Sequence, residues 1–327
     1  MAGLGEFALI RQFFAAAACA APASGVARGI GDDCALLQLP PGEQLAVSTD
    51  TQVAGVHFPE RHDPSLLAQR VLAAAASDLA AMGAAPLGFT LALTLPAADP
   101  VWLEGFARGL DVMARACGLA LIGGDTTRGP LNINVTVFGR LPAGQALLRA
   151  GARPGDLLCI GGATGEAAAA LPLVLGERGA HGAADAQLLA RYWTPQPQLA
   201  LGQTLRGLAS AALDVSDGLL ADCGHIAEAS GVRLLIEAAL VPLSPALRAA
   251  AGERRALQLA LSGGDDYVLA FTLPPAALPA LVASGHDFHV IGHAEAGSGV
   301  RLVDGAGRDI TPAAGGYQHF GGGDEQA

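Results

Sequence analysis

The sequence predicts a two-domain protein of mixed α/β class. Its 327 residues are enough for two sizeable cores. Hydrophobic content is 51% against 15% charged, a balance that excludes a disordered chain. Segments of strand period and of helix period alternate along the chain, and proline and glycine cluster near its middle.

The elements follow in order. Phe7, Ile10 and Phe14 fall on one helical face. The apolar stretch from Phe13 to Ala23 is superficially like the core of an export signal. Glu6 and Arg11 precede or border it, so there is no clearly basic leader, and the segment is read as folded. Leu45–Val47 is a short strand running into Ser48-Thr49-Asp50. Residues 65–82 form a helix with Leu66, Leu67, Val71, Leu72, Leu79 and Met82 as its stripe, ended by Gly83. The uncharged stretch from Leu79 to Ala98 is long enough to span a bilayer. Gly83, Pro86, Gly88 and Pro96 interrupt it, so it reads as helix end, turn and strand, and no membrane association is expected. Gly88–Leu95 and Leu131–Phe138 alternate cleanly and read as strands with one buried face. Trp102–Cys117 is helical by period, and Leu119–Ile122 is a strand running into Gly123-Gly124-Asp125.

The proline and glycine clusters at 141–144 and 152–156 place a junction near 143–154. The expected units are 1–146 and 147–320, with 321–327 as a mobile tail. The second unit opens with a strand at Leu157–Ile160. Helices, a strand ending at Asp214, a helix at Leu219–Ala229, a strand at Arg233–Ile236 and a strand at Tyr267–Leu273 follow. Gly-Gly-Asp recurs at 123 and 263, and Ser-Asp at 77 and 216, an echo too short to carry a duplication by itself.

Charge narrows the chemistry. All 19 basic residues are arginine, so a lysine P-loop, a kinase-type lysine and a lysine Schiff base are excluded. A net charge of −11 argues against nucleic-acid binding. The five cysteines are odd in number and lack Cys-x-x-Cys spacing, which indicates neither a disulfide framework nor a zinc cluster and favours a reducing cytoplasm.

The acids are not in charge runs. They occur in short Gly/Ser/Thr motifs: Gly31-Asp32-Asp33, Ser48-Thr49-Asp50, Ser77-Asp78, Gly123-Gly124-Asp125, Asp214-Val215-Ser216-Asp217-Gly218 and Gly263-Gly264-Asp265-Asp266. Each alone has a bland reading as a turn, a cap or an Asx motif. Together they are a hard-oxygen ligand set placed at the ends of elements, which suits Mg²⁺. Adjacent Asp32 and Asp33 point to opposite sides of an extended segment, so one of them is expected as the main ligand. Asp78 is the most telling, because a carboxylate on an alanine-rich helix is costly unless paired or metal-bound.

Read together, the strings at 29–37, 48–58, 77–84, 123–130, 213–219, 261–267 and 316–320 resemble the thiamine-monophosphate kinase family, within the superfamily of aminoimidazole ribonucleotide synthetase. The resemblance spans nearly the whole chain. It implies an N-terminal α/β domain that pairs its sheet across a homodimer, and a C-terminal α/β domain. It implies ATP-dependent phosphorylation of thiamine monophosphate to thiamine diphosphate, with several Mg²⁺ ions. By motif, Asp33, Ser48, Thr49, Asp50, Asp78, Asp125 and Asp214 resemble the family's metal ligands, and Asp217 would hold a further ion. Gly124, Asp125, Arg149 and Ser216 resemble its ATP contacts. His57, Asp265 and Tyr317 match substrate contacts. Asp265 stands where the family commonly has glutamate. The acceptor is a phosphate, so no general base is expected. Two other readings stay open: another ATP-using enzyme of the superfamily, and a non-catalytic divalent-metal-binding protein.

Overall fold

The structure, a computed structural model, describes residues 6–312. In chain order its regular elements are α1 (Glu6–Leu9), β1 (Val26–Arg28), β2 (Leu36–Leu37), β3 (Glu43–Val53), α2 (Pro64–Ala81), β4 (Ala85–Leu95), α3 (Pro100–Cys117), β5 (Ala120–Arg128) and β6 (Asn132–Pro142). The second half adds β7 (Leu157–Ile160), α4 (Glu166–Val174), α5 (Gly182–Trp193), α6 (Leu199–Leu205), β8 (Ala211–Asp214), α7 (Leu219–Ser230) and β9 (Arg233–Glu237). It closes with α8 (Pro245–Ser262), β10 (Leu269–Leu273), α9 (Leu278–Ala283), β11 (His289–Glu295) and β12 (Gly299–Val303). A four-stranded sheet has the order β3-β6-β4-β5, and a six-stranded sheet the order β12-β9-β11-β7-β10-β8. Both are mixed: β4–β5 and β9–β12 are parallel, and the other neighbours run antiparallel.

Helix α2 forms for local reasons. Asp63 caps it, accepting from the Ser65 and Leu66 amides, and Pro64 occupies the first turn, where its missing N–H costs nothing. Gly83, at φ 67°, reverses the chain after it. Its alanines are there for packing. The helix touches β3 and β6 on one side, α3 on another, and α5, α6 and β8 of the second half on a third. A Cβ on Gly109 of α3 would lie 2.1 Å from the Ser65 carbonyl oxygen, and one on Gly202 of α6 would lie 2.0 Å from that of Ala80. Backbones this close need small residues on both sides.

Three expectations change. The strand expected at Leu45–Val47 continues through Ser48-Thr49-Asp50 to Val53, and the strand expected to stop at Ile122 continues through Gly-Gly-Asp to Arg128. Those acids therefore lie inside strands, not at their ends. The causes are β6, which pairs with β3 over its whole length and offers Thr136 and Asn134 as hydroxyl and amide partners to Thr49 and Thr51, and β4, which pairs with β5 as far as Arg128. The strand expected at Tyr267–Leu273 begins only at Leu269, because Asp265 (φ 67°) and Tyr267 (φ 54°) are left-handed. Gly-Gly-Asp is thus strand at 123–125 and loop at 263–265, and the echo has no structural counterpart.

Near the start, the one-faced helix gives way to α1 followed by a π-helical turn at Ile10–Phe14, with Phe13 and Phe14 buried in the core. Among the described residues no helix is long and apolar enough to cross a membrane. Tyr317 and the 321–327 tail lie outside the described residues.

The α2–α6 contact yields a stability prediction. Gly202→Val forces side-chain atoms into the Ala80 carbonyl and should cost about 1–3 kcal/mol by overpacking. A lowered denaturation midpoint checks it; an unchanged midpoint would show that the contact relaxes freely.

Candidate functional site

A cleft of about 760 Å³ lies where α2 meets the second half of the chain. Arg70, Ala74 and Asp78 line it from one stripe of α2, at i, i+4 and i+8. Asp50 and Gln52 enter from β3, and His57 from the loop that follows. Asp214, Ser216, Asp217, Gly264, Asp265 and Tyr267 come from the second half. The chain thus gathers acids as far apart in sequence as Asp50 and Asp265.

The floor is a carboxylate cluster. Strand alternation puts Ser48 and Asp50 on the α2 side, and the Ser48 hydroxyl donates to Asp78 Oδ2 at 2.5 Å. Asp50 and Asp214 are partly open to the cleft yet surrounded by protein on most sides. Burial, with the charges of Asp78 and Asp214, pushes Asp50 up to about 7. Burial and Asp78 push Asp214 up to about 7 as well. Asp78 is also raised by burial, against the Ser48 hydrogen bond and the nearby Arg149 guanidinium. Three acids that resist ionisation together form a site with a deficit of positive charge. The buried Ser77 hydroxyl stands beside Asp214 and opposes part of that rise.

The 214–218 loop is fixed by a residue the motifs did not single out. Asp222 Oδ2 accepts from the backbone amides of Ser216, Asp217 and Gly218 at 3.0, 3.0 and 3.1 Å. The 264–267 turn docks on this loop, with the Asp265 amide donating to the Ser216 carbonyl and that of Tyr267 to the Val215 carbonyl, both at 2.8 Å. Asp266 points the other way and accepts from the Gly165 amide at 2.7 Å. These bonds hold two non-glycine residues in the left-handed region, a conformation that typically costs about 1–3 kcal/mol each.

The family model for the AIR synthase related protein N-terminal domain matches residues 31–141, and that for the C-terminal domain matches 153–305. Thiamine-monophosphate kinase of Escherichia coli (strain K12) is 45% identical over 321 residues, 97% of this chain and 98% of that protein. The chain belongs to the thiamine-monophosphate kinase family. Its structure is similar to that of thiamine-monophosphate kinase from Stenotrophomonas maltophilia K279a, with a TM-score of 0.80 at 44% identity over 85% of this chain and 91% of that one. It is also similar to AaThiL complexed with AMPPCP and TMP, with a TM-score of 0.78 at 29% identity over 89% and 92% of the two chains.

Of the residues that the family resemblance singles out, Asp50, Asp78, Asp214, Ser216, Asp217, His57 and Asp265 share the cleft, with Ser48 behind Asp78. Arg149 is exposed near Asp78. Others stand apart. Asp33 is exposed on its turn, where its neighbour Asp32 pairs with Arg28 at 2.6 Å. The Thr49 side chain lies on the opposite face of the sheet, bonded to Thr136 at 2.8 Å. Asp125 stands in register with Ala92, Asn134 and Thr51 on that same far face. Thr49 and Asp125 therefore do not share Asp50's face, because alternation along the extended strands separates them. Gly124 has a packing reason of its own: a Cβ there would lie 2.0 Å from the Leu91 carbonyl oxygen.

Arg70 was missing from the motif reading. It is buried, and its Nη2 pairs with Asp265 Oδ2 at 2.8 Å. Its Nη1 donates to the Tyr192 carbonyl at 2.8 Å, and its guanidinium carbon stands 3.9 Å from the centre of the Tyr192 ring. The Tyr192 hydroxyl in turn donates to the His57 carbonyl at 3.1 Å. His57 Nδ1 accepts from the Val53 amide at 3.1 Å, which leaves the proton of the neutral ring on Nε2. The signal in the sequence was Arg70's position two turns before Asp78 in a helix otherwise nearly all apolar.

The raised carboxylates give a pH prediction. Between their ordinary value of 3.8 and about 7, the folded chain holds protons that the unfolded chain has released. Their contribution to stability therefore falls as pH rises through that window. Chelator-treated protein should lose melting temperature between pH 5 and pH 8, and Asp50→Asn should flatten the loss and melt higher at pH 8. A melting temperature of the Asn variant that tracks the parent at both pH values would contradict the cluster's strain.

Proposed function

We propose that this chain is an ATP-dependent thiamine-monophosphate kinase, transferring the γ-phosphoryl group of ATP to the phosphate of thiamine monophosphate. The carrying observation is one cleft that joins a carboxylate floor to a polar recognition end, in a chain 45% identical to a thiamine-monophosphate kinase over nearly its whole length. Similarity to a structure complexed with AMPPCP and TMP supports the same pair of ligands.

The donors fit Mg²⁺. They are hard oxygens, and their mutual repulsion is what a divalent cation would relieve. Among the described residues no group of three or more histidine, cysteine or acidic side chains converges to hold a metal unaided. An ion here would be held by one or two carboxylates together with waters and substrate phosphates. Asp50, Asp78 and Asp214 would hold such ions, with Asp217 for a further one. Of the further ligands that the resemblance implies, Ser48 joins this set through Asp78, whereas the Thr49 side chain, Asp33 and Asp125 stand outside the cleft. Thr49 offers its backbone alone on the cleft side. Such ions would supply the positive charge that two sets of phosphates need in order to approach each other.

The chain's own residues do the rest. The acceptor phosphate has a second pKa of about 6, so its oxygen is already nucleophilic and needs no side-chain base. That oxygen attacks the γ-phosphorus in line, the β–γ bridging bond breaks, and its electron pair leaves on ADP. Arg149, Ser216 and the Gly124-Asp125 segment are assigned to ATP. His57, Asp265 and Tyr317 are assigned to thiamine monophosphate.

The boundary between the two units is placed at 146/147. A homodimer through the far face of the four-stranded sheet is part of the proposal, since that face exposes Leu45 (43%) and Val47 (54%) beside Thr49 and Thr136. The cytoplasm is the proposed location, in keeping with five free cysteines.

Purified protein with Mg²⁺ should consume ATP only when thiamine monophosphate is present and should form thiamine diphosphate. Asp78→Asn, which keeps shape and removes a charge, should lower kcat by at least about 100-fold, the scale for losing a group that stabilises transition-state charge. ATP turnover indifferent to thiamine monophosphate would sink the reading. Near-normal turnover by the Asn variant at limiting Mg²⁺ would remove Asp78 from it.

A further inference from the structure

We propose that Arg70 is a positioning residue for substrate recognition: it fixes and neutralises the Asp265 carboxylate, so that Asp265 receives a neutral N–H donor on an aromatic base rather than a free cation. The proposal deepens the kinase reading above and rests on it.

The geometry supports each part. Arg70 is 1% exposed, so its charge needs a matched partner in place. That partner is Asp265, whose Oδ2 takes Nη2 at 2.8 Å while its Oδ1 accepts the Tyr267 hydroxyl at 2.9 Å. The carboxylate is thus gripped from two sides, one bond to each oxygen. An ionised carboxylate has about four acceptor sites, so each oxygen keeps one for the cleft. The Asp265 side chain is 38% exposed, and it and Arg70 both line that cleft. With its charge already matched, what Asp265 offers the cleft is oriented acceptor capacity. Amino groups on a heteroaromatic ring suit that; an isolated ammonium would gain little.

Arg70 is also fixed from behind. The Tyr192 carbonyl takes Nη1, and the Tyr192 ring lies against the guanidinium. Because Tyr192 also bonds the His57 carbonyl, one arginine on the first domain orders His57 on its own side and Asp265 on the other. Lysine would keep the charge but lacks the planar fork that serves Tyr192 and Asp265 together.

The test uses the full chain and steady-state kinetics in both substrates. Arg70→Met should raise KM for thiamine monophosphate at least about 10-fold, as expected when one partner of a buried charge pair is removed. KM for ATP should stay within about 2-fold, and Arg70→Lys should recover part of the loss. Adding Asp265→Asn to Arg70→Met should do no further harm, since the two act as a unit. An unchanged KM for thiamine monophosphate, an equal rise in both KM values, or strictly additive effects would overturn the proposal. If Arg70→Met does not fold, Arg70→Lys carries the test: a selective rise in that KM supports it and no selective change overturns it. Wild-type turnover that needs no thiamine monophosphate would overturn the kinase reading itself, a result separate from any ratio between variants.

Discussion

Helix α2 is buried on three sides, and the rest of the molecule is arranged around that fact. A helix packed against a sheet, a neighbouring helix and a second domain cannot carry bulky residues on every face. Alanine answers the need: it has the best helix propensity and loses no side-chain freedom. Gly109 and Gly202 bring the neighbouring helices to backbone distance. The helix therefore works as a rigid spacer between two sheets. Whatever charge it bears must be matched across a domain boundary or from the strand beneath.

It bears two such charges, and they divide the cleft. Arg70 is matched by Asp265 from the second domain, at what we propose is the base-recognition end. Asp78 has the Ser48 hydroxyl and, at a distance, Arg149, and these do not offset its burial. Asp50 and Asp214 add to the imbalance. One end of the cleft is electrically complete and the other is not. The incomplete end is where we propose that divalent cations meet the phosphates. Breaking the complete end should be costly for the usual reason: a buried charge is left without its partner.

Much of this was legible in the sequence. The helix at 65–82 and the alternating strands follow from period and punctuation, and the structure has α2, β4 and β6 where those patterns lie. Asp78 stood out because an acid in an alanine-rich helix demands a reason. The misreadings share a cause. Ser-Thr-Asp and Gly-Gly-Asp look like caps and turns, but cross-strand partners on β6 and β4 carry them on as strand, and local propensity could not show those partners. The same extension sends Thr49 and Asp125 to the face opposite Asp50. Arg70 was overlooked because a lone arginine in a helix is ordinarily a surface residue. Only the packing of α5 and the 264–267 turn over α2 makes it a buried one.

The central claim is that the carboxylates on α2, β3 and β8 hold the cations that hold the phosphates. A crystal of the protein grown with Mn²⁺, a non-hydrolysable ATP analogue and thiamine monophosphate tests it through anomalous scattering. The account predicts anomalous peaks in contact with Asp78, shared with Asp50 or Asp214 and with phosphate oxygens of both ligands. Phosphates seated on arginines alone, with Mn²⁺ confined to surface acids, would contradict it.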